Sequence, residues 1–282
     1  MKNIIILGSS GFIGSYLYKK LKRNRKLKII GVDRKKNNRK DTIVNNIKKI
    51  DFKKIIQNEN IDTIIDVVGF SGHNLLNRRD YKRSFEENYL CKNNLVRFLK
   101  KTKKNIFYIS FGTLYKFGKK NKISHEIYYN YFNSNDQQSY FKYLHEKKLF
   151  SIHNKNLRIL IINLGSIFGN LSKINKNSNL IDKINFSLVK KKKFEIFYSG
   201  KERLKNVIKI SKVFKKIYKE INLSSKKQKK KYREVNIVDN LVDLLEFAKI
   251  GKIEFIRRSR NNINNYFYYI NQKKPKSIKS IL

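Results

Sequence analysis

The chain is poor in several residue types, and each scarcity excludes something. Its 282 residues include one proline, one cysteine, no tryptophan and a single alanine, Ala248. The lone Cys91 excludes an internal disulfide and predicts a reducing compartment, which we expect to be the cytoplasm. Cys91 and the four histidines show no metal-ligand spacing, so no metal site is predicted. No apolar run reaches the length of a membrane span and a predicted strand starts at once, so we expect no membrane segment or signal peptide.

Acidic residues are also scarce: 21 Asp and Glu stand against 66 Lys and Arg, a formal net charge of +45. Such a charge would suit a polyanion partner, either nucleic acid or an acidic membrane. However, the rare residues have GC-rich codons and the abundant ones, such as Lys, Asn and Ile, have AT-rich codons. Codon bias therefore explains the charge without a selected partner, and the basic residues are dispersed along the chain. We expect weak nonspecific binding to polyanions, whatever the function.

Glycine is infrequent, with 12 in the chain, yet three follow the first predicted strand at the spacing Gly-x-x-Gly-x-x-Gly: Gly8, Gly11 and Gly14. In a dinucleotide site the first glycine allows the tight turn and the second lets the backbone approach a pyrophosphate. The third lets the following helix pack close to the sheet, with its positive N-terminus near phosphate. A second predicted strand ends in Asp33, 19 residues after Gly14, where a carboxylate can bind the ribose hydroxyls. The alternative is a glycine turn that binds no ligand.

Short apolar runs alternate with helical patterns, which predicts an α/β fold of Rossmann type, a doubly wound parallel sheet with a smaller C-terminal substrate lobe. Predicted strands cover 3–7, 28–32, 43–47, 62–68, 105–110 and 157–163, and later 194–198 and 234–238. Predicted helices cover 12–23, 51–58, 84–101 and 138–152, and later 178–192, 211–221 and 239–249. We expect a nucleotide-binding domain at 1–165 and a substrate lobe with a basic tail at 166–282.

A reaction centre is expected at the carboxyl ends of the strands. Two segments fall there: one follows the fifth strand and contains Ser110 and Thr113, and the other carries Tyr143 and Lys147 on the next helix. Residues four apart share a helix face, and a lysine ammonium near a phenol lowers its pKa. Tyr143 could then exchange a proton with a sugar oxygen while hydride moves to or from nicotinamide. The same spacing recurs elsewhere in this Tyr- and Lys-rich chain, so an ordinary exposed pair is the alternative.

On these motifs, over about residues 2–250, the chain resembles the NAD-dependent epimerase/dehydratase family of extended short-chain dehydrogenases/reductases, whose members mostly act on nucleotide sugars. The resemblance implies a catalytic pair, Tyr143 and Lys147, a structural Asn88, and a loop at 163–169 near the nicotinamide. It also implies cofactor binding by Gly8, Ser10, Gly11, Phe12, Ile13, Gly14, Asp33, Arg34, Asn46, Ile47, Val68, Gly69 and Lys147.

Some positions depart from the family pattern. Phe111 stands where the family has its catalytic Ser or Thr, so Ser110 or Thr113 would have to supply the hydroxyl. Gly112 and Thr113 stand where the family's dehydratases carry an acidic pair, which argues against 4,6-dehydration. Asn163-Leu164 replaces the family's Arg-Pro, and Leu204-Lys205-Asn206-Val207 replaces its Arg-Asp segment, so the sequence leaves the substrate open.

Cofactor choice follows from the end of the second strand. Asp33 favours NAD because it binds a free 2′-hydroxyl and repels a 2′-phosphate, whereas Arg34, Lys35 and Lys36 could accept that phosphate. Cations are common in so basic a chain, so NAD is the prediction and NADP the alternative.

Three functions are compatible with the sequence. The first is an NAD(P)-dependent nucleotide-sugar epimerase or ketoreductase with Tyr143 as acid/base. The second is a catalytically degenerate Rossmann-fold protein that binds nucleotide or RNA, which Phe111 and the basic charge suggest. The third is a reductase for a non-sugar carbonyl, since one fold serves many substrates. The resemblance also implies a homodimer through the helices at 84–101 and 138–152.

Overall fold

A computed structural model describes residues 1–34, 39, 41–70, 78–114, 137–169, 182, 194–198, 204–223, 231–237, 239–243 and 253–257. The strands are β1 Lys2–Leu7, β2 Leu27–Asp33, β3 Thr42–Val44, β4 Thr63–Asp66, β5 Ile106–Thr113, β6 Leu157–Leu164, β7 Ser166–Phe168, β8 Phe194–Tyr198, β9 Leu204–Lys209, β10 Tyr232–Ile237, β11 Asn240–Asp243 and β12 Ile253–Arg257. The helices are α1 Phe12–Lys22, α2 Phe52–Asn58, α3 Arg78–Asn88, α4 Asn93–Lys101, α5 Gln137–Phe150 and α6 Ile210–Asn222, with a 3-10 turn at Leu90–Lys92. None of the helices in these ranges is long and apolar enough to span a membrane.

The first compact unit comprises residues 1–112, 137–163 and 214–235 and contains most of a seven-stranded sheet. The strand order is β10-β6-β5-β4-β1-β2-β3, and β1, β2, β3, β4 and β5 pair in parallel. The order reverses between β1 and β4, where a doubly wound sheet binds its ligand. The predicted Rossmann-type parallel sheet with flanking helices is confirmed.

The sheet forms because its strands are continuous apolar runs that are covered on both faces. Ile4, Ile5, Ile6 and Leu7 of β1 are all 0% exposed. Leu17 and Leu21 of α1, four residues apart and therefore on one helix face, are also fully buried. The central strand is thus fixed deep in the core, and the loop that follows it is held in place.

The second unit comprises residues 113–136, 164–213 and 236–282. Its described strands form a three-stranded sheet of order β11-β9-β7 and a parallel pair of β8 with β12. In the larger sheet β7 runs parallel to β9, and β11 runs antiparallel to β9. The predicted strand at 194–198 is confirmed as β8.

Several predictions in the first unit are wrong in their bounds. The strand predicted at 105–110 continues to Thr113 as β5, so the segment with Ser110 and Thr113 lies within the strand and does not follow it. The helix predicted at 84–101 is interrupted at Tyr89, whose φ of −133° and ψ of −66° are not helical, and a 3-10 turn and α4 follow it. The strand predicted at 43–47 ends at Val44, because Asn45 and Asn46 turn the chain. Asn45 Oδ1 accepts the Asn46 N–H at 2.7 Å, and Asn46 Oδ1 accepts the Lys48 N–H at 3.1 Å, and such bonds compete with a strand.

The prediction of a helix at 239–249 is wrong for its first residues. Residues Asn240–Asp243 form β11, and Asn240 pairs with Val207 of β9. Pairing with a strand more than thirty residues away overrode the local helical pattern. Residues 244–249, and most of the helix predicted at 178–192, lie outside the described part of the chain.

Candidate active site

The glycine loop connects β1 to α1. Gly8 has a φ of +80°, which only glycine adopts readily, and its N–H donates to Val32 O at 2.9 Å. The Gly11 N–H then donates to Gly8 O at 3.1 Å, which closes the turn. The helix begins at Phe12, with the half-buried Phe12 and Ile13 in its first turn. The loop therefore directs the positive end of α1 toward the carboxyl edge of the sheet.

The three glycines are required for different reasons. A Cβ at Gly14 would lie 2.1 Å from Gly8 O, so Gly14 allows the helix to pack against the loop. Gly11 is exposed, and the nearest described atom to a Cβ there is Gly8 O at 3.3 Å. A small side chain at Gly11 would therefore need only a shift of a few tenths of an ångström, far less than one at Gly14. The space in front of Gly11 suits a group that approaches the backbone closely, as a pyrophosphate does at a helix N-terminus.

Asp33 lies at the end of β2, beside the glycine loop. Its Oδ2 accepts the Ser10 N–H at 2.8 Å and also the Ser10 hydroxyl, and its Oδ1 accepts the Arg34 N–H at 2.9 Å. The structure therefore brings the predicted residues Ser10, Asp33 and Arg34 together at one edge. A half-buried carboxylate so close to the loop is suited to binding ribose hydroxyls.

The remaining predicted cofactor residues lie on neighbouring strand ends. The Asn45 N–H donates to Asp33 O at 2.8 Å, which places Asn46 and Ile47 beside Asp33. Asn46 is half-buried and shapes the turn, whereas Ile47 is 6% exposed and belongs to the hydrophobic core.

The loop after β4 packs on the glycine loop and is anchored by hydrogen bonds to Asp66 and Asn88. A Cβ at Gly8 would lie 3.2 Å from Val68 Cγ2, so the two loops are in van der Waals contact. The Val68 N–H donates to Asp66 Oδ1 at 3.0 Å. Asn88 accepts the Phe70 N–H at 3.2 Å and donates to Phe70 O at 3.1 Å. Gly69 is exposed between these anchors, and a Cβ there would lie 2.8 Å from Asn88 Oδ1.

Tyr143 and Lys147 lie one turn apart on α5. Tyr143 is 7% exposed, Lys147 is exposed, and the Lys147 ammonium lies 5.6 Å from the centroid of the Tyr143 ring. This geometry brings the predicted pair together on one face of α5, with the ammonium over the phenol ring.

The candidate hydroxyls lie on β5. Ser110 is 2% exposed and stands in register with Asp66 on β4, whereas Thr113 is 5% exposed at the end of the strand and belongs to the second unit. Phe111 lies between them, 7% exposed. Lys35 and Lys36, the other cations predicted to be able to accept a 2′-phosphate, lie outside the described residues.

A buried polar network beside the sheet was not predicted. Lys92 Nζ lies 2.9 Å from Asp66 Oδ2, and their side chains are 4% and 0% exposed. The Tyr108 hydroxyl donates to the same oxygen at 2.8 Å and lies 3.1 Å from His145 Nε2. The network therefore connects the loop after β4, through Asp66, with the helix that carries Tyr143.

The pKa shifts in this network fix its protonation. Burial, with the charges of Lys92 and Lys148, lowers the pKa of His145 well below its usual value, so the imidazole is neutral. Burial and the Asp66 charge raise the pKa of Tyr108 well above its usual value, against a smaller lowering by a hydrogen bond with Ser110. Because the Tyr108 hydroxyl donates to Asp66, His145 must donate to it from Nε2. His145 Nδ1 then carries the lone pair and has no hydrogen-bond partner in the described structure.

One sequence signal could have revealed the network. Asp66 ends an otherwise apolar strand, and a charge in such a run is buried only if it is paired. The partners come from distant segments, so the sequence does not identify them. Across the described ranges, no group of three or more His, Cys, Asp or Glu side chains could hold a metal ion.

Comparisons with known proteins identify a family and a shared fold. The sequence profile of the NAD dependent epimerase/dehydratase family matches residues 4–205. No curated protein is significantly similar to the chain in sequence. Solved structures resemble it at low identity, which indicates a shared fold.

Three of these structures illustrate the likeness. UDP-glucuronic acid 4-epimerase from Bacillus cereus, in complex with UDP-glucuronic acid and NAD, has a TM-score of 0.73 and 18% identity over 90% of this chain and 86% of that one. UDP-N-acetylglucosamine 4-epimerase from Methanobrevibacter ruminantium M1, in complex with UDP-N-acetylmuramic acid, has a TM-score of 0.75 and 16% identity over 99% and 94%. The dTDP-glucose 4,6-dehydratase from Bacillus anthracis in complex with NAD has a TM-score of 0.69 and 15% identity over 96% and 88%.

Proposed function

Since the chain belongs to the NAD-dependent epimerase/dehydratase family, we propose that it is an NAD-dependent nucleotide-sugar epimerase or ketoreductase with Tyr143 as its acid/base. The similar structures support a nucleotide sugar as the substrate class, because two of them hold UDP-sugars. Gly112 and Thr113 carry no carboxylate, so the proposal excludes 4,6-dehydration.

The residues around the glycine loop fit NAD. When bound, NAD supplies the acceptor and donor of hydride. Gly11 and the N-terminus of α1 would bind its pyrophosphate, and Asp33 would bind the adenosine ribose hydroxyls. Asn46 would lie near the adenine, and Val68 and Gly69 would cover the cofactor from the loop after β4.

Proton transfer is the task of α5. Tyr143 would take a proton from a sugar hydroxyl, or return one to a sugar ketone, and the Lys147 ammonium would stabilise the phenolate form that precedes proton uptake and follows proton return. Lys147 would also bind the nicotinamide ribose. Ser110 or Thr113 would donate a hydrogen bond to the reacting oxygen.

The observation that carries this proposal is the position of the Tyr143 and Lys147 pair. The other described pairs of the same spacing, Tyr16 with Lys20 and Tyr18 with Lys22, have the same 5.6 Å geometry but lie on α1, whereas this pair lies on the helix between β5 and β6. The neighbouring His145 is hydrogen bonded to Tyr108, so this helix is also fixed in rotation.

The test is product analysis with a panel of UDP-sugars and NAD. Tyr143→Phe should lower turnover by about 10²- to 10⁴-fold, the usual contribution of a general acid/base, while NADH binding is retained. Tyr140→Phe is the matched control, because Tyr140 lies on the same helix and is 40% exposed. Full turnover by Tyr143→Phe would refute the assignment.

Phe111 supports a second candidate, a nucleotide-binding protein that no longer turns over. Its buried ring occupies the family's hydroxyl position in β5. On this alternative NADH still binds tightly, but no UDP-sugar is converted under any condition in which the fold is intact. Salt-sensitive RNA binding would then be tested next.

Three further points are part of the proposal. The substrate lobe lies within residues 166–282, the enzyme forms a homodimer through the segments 84–101 and 138–152, and it works in the cytoplasm. Light scattering with size-exclusion chromatography tests the dimer directly.

A further inference from the structure

Arg34, the cation best placed to receive a 2′-phosphate, is already bound to a carboxylate. Its Nη2 lies 3.0 Å from Glu87 Oε1, and its own N–H donates to Asp33 Oδ1 at 2.9 Å. The Arg34 main chain is therefore held by Asp33, and its guanidinium by Glu87 on α3. The Glu87 side chain is 14% exposed, against 58% for that of Arg34, so the carboxylate is the partly desolvated member of the pair.

Glu87 is itself fixed. The next residue, Asn88, makes two hydrogen bonds with the backbone of Phe70, which anchors this end of α3 to the loop after β4. Arg83, one turn earlier, donates from Nε to the same Glu87 oxygen at 3.0 Å, and its guanidinium lies 4.3 Å from the Phe70 ring centroid. Glu87 therefore cannot follow Arg34 easily if the guanidinium moves.

We propose that Glu87 is a cofactor-specificity residue: by holding Arg34, it makes the ribose end of the site select NAD over NADP. This inference rests on the proposed NAD site. Two carboxylates, Asp33 and Glu87, balance the two guanidiniums of Arg34 and Arg83. Within the described part of this edge, a 2′-phosphate would meet the Asp33 carboxylate while the guanidinium of Arg34 is already paired, whereas a 2′-hydroxyl would meet a hydrogen-bond acceptor.

Arg39, another cation near the glycine loop, also has partners within the protein. Arg39 donates from Nη1 to Ser9 O at 2.9 Å, and its guanidinium lies 4.5 Å from the centroid of the Tyr18 ring. Arg39 thus stabilises the glycine loop. Among the described cations at this edge, Arg34 is therefore the one whose release would change phosphate binding.

The experiment is a fluorescence titration of the full-length protein with NADH and with NADPH at about 0.15 M salt, which screens the long-range attraction of this basic chain. Wild type should bind NADH at least about tenfold more tightly than NADPH. Glu87→Gln, which frees Arg34 without changing side-chain size, should tighten NADPH binding about fivefold and change NADH binding less than about twofold. The double variant Glu87→Gln/Arg34→Gln should lose that gain.

Glu86→Gln is the matched control. Glu86 precedes Glu87 on the same helix and pairs with Lys48 at 3.1 Å, so its replacement makes the same change in net charge. The inference is overturned if wild type prefers NADPH, if Glu87→Gln leaves the preference unchanged, or if Glu86→Gln shifts it equally. It is also overturned if the gain survives in the double variant. Binding of neither nucleotide by wild type would instead refute the proposed function.

Discussion

The buried ion pair of Lys92 and Asp66 allows a quantitative prediction about stability. Lys92→Met keeps most of the length of the side chain but removes its charge, which leaves the Asp66 carboxylate buried. Breaking such a pair by removing one partner costs about 3–5 kcal/mol. Asp66 retains two donors, the Val68 N–H at 3.0 Å and the Tyr108 hydroxyl at 2.8 Å. We therefore expect the lower end, a loss of about 3 kcal/mol in the free energy of unfolding.

The measurement is urea denaturation at pH 7 followed by far-UV circular dichroism, since the chain has no tryptophan to report by fluorescence. A thermal scan should show a decrease in Tm of roughly 6–12 °C, from about 2–4 °C per kcal/mol for a chain of this size class. The double variant Asp66→Asn/Lys92→Met removes both charges. Its loss in the free energy of unfolding should be about 2 kcal/mol smaller than the sum of the losses in the two single variants.

The control is Lys22→Met, which breaks an exposed pair with Asp41 whose side chains are 53% and 45% exposed. Exposed pairs contribute about 0–1 kcal/mol, so this variant should lose less than about 1 kcal/mol. The reasoning would be refuted if Lys92→Met lost no more stability than Lys22→Met, or if the loss in the double variant equalled the sum of the two single losses. Either result would show that Lys92 and Asp66 are not a coupled, desolvated ion pair.

Three further predictions follow from single sites. Because burial lowers the pKa of His145, the unfolded state binds a proton that the folded state does not; stability should be full above pH about 6.5 and fall below it by up to about 1.4 kcal/mol per pH unit. Urea titrations between pH 7.5 and 5 should show this slope flattened in His145→Gln and unchanged in His153→Gln, and equal slopes would contradict the prediction. Burial raises the pKa of the Cys91 thiol to about 12, so a thiol-specific disulfide reagent should label it only as fast as the protein unfolds, and rapid labelling of native protein would be inconsistent with this. Gly14→Ala, whose Cβ would meet Gly8 O at 2.1 Å, should lower Tm by several degrees, whereas Gly11→Ala should leave Tm within about 2 °C and weaken NADH binding; the reverse order would show that the glycines have the opposite roles.

Local sequence signals predicted the nucleotide half of the fold because its strands are buried on both faces. β1 follows directly from an unbroken apolar run, and the glycine loop follows from chain geometry that only glycine permits at Gly8. The Tyr143 and Lys147 pair could also be located, since residues four apart on a helix are neighbours whatever the tertiary structure. In each case the information lies within a few residues of the site.

The features that the sequence did not predict depend on contacts between distant segments. The strand at Asn240–Asp243 depends on pairing with β9, and nothing in its local pattern identifies that partner. Likewise Lys92 and Glu87 lie in what the sequence predicts to be one long helix with exposed charges. Their burial and pairing depend on where β4 and β2 end in space.

The account depends most directly on nucleotide binding at the glycine loop. Calorimetric titration of the wild-type protein with NAD, beside Gly11→Asp, tests it in one measurement. We expect binding by wild type and at least about a tenfold loss in Gly11→Asp, because a carboxylate in front of the helix N-terminus would occupy and repel the pyrophosphate site. An unchanged Tm in Gly11→Asp would show that the loss is local. Absence of binding by wild type, or equal binding by both proteins, would contradict the assignment of this loop as the cofactor site.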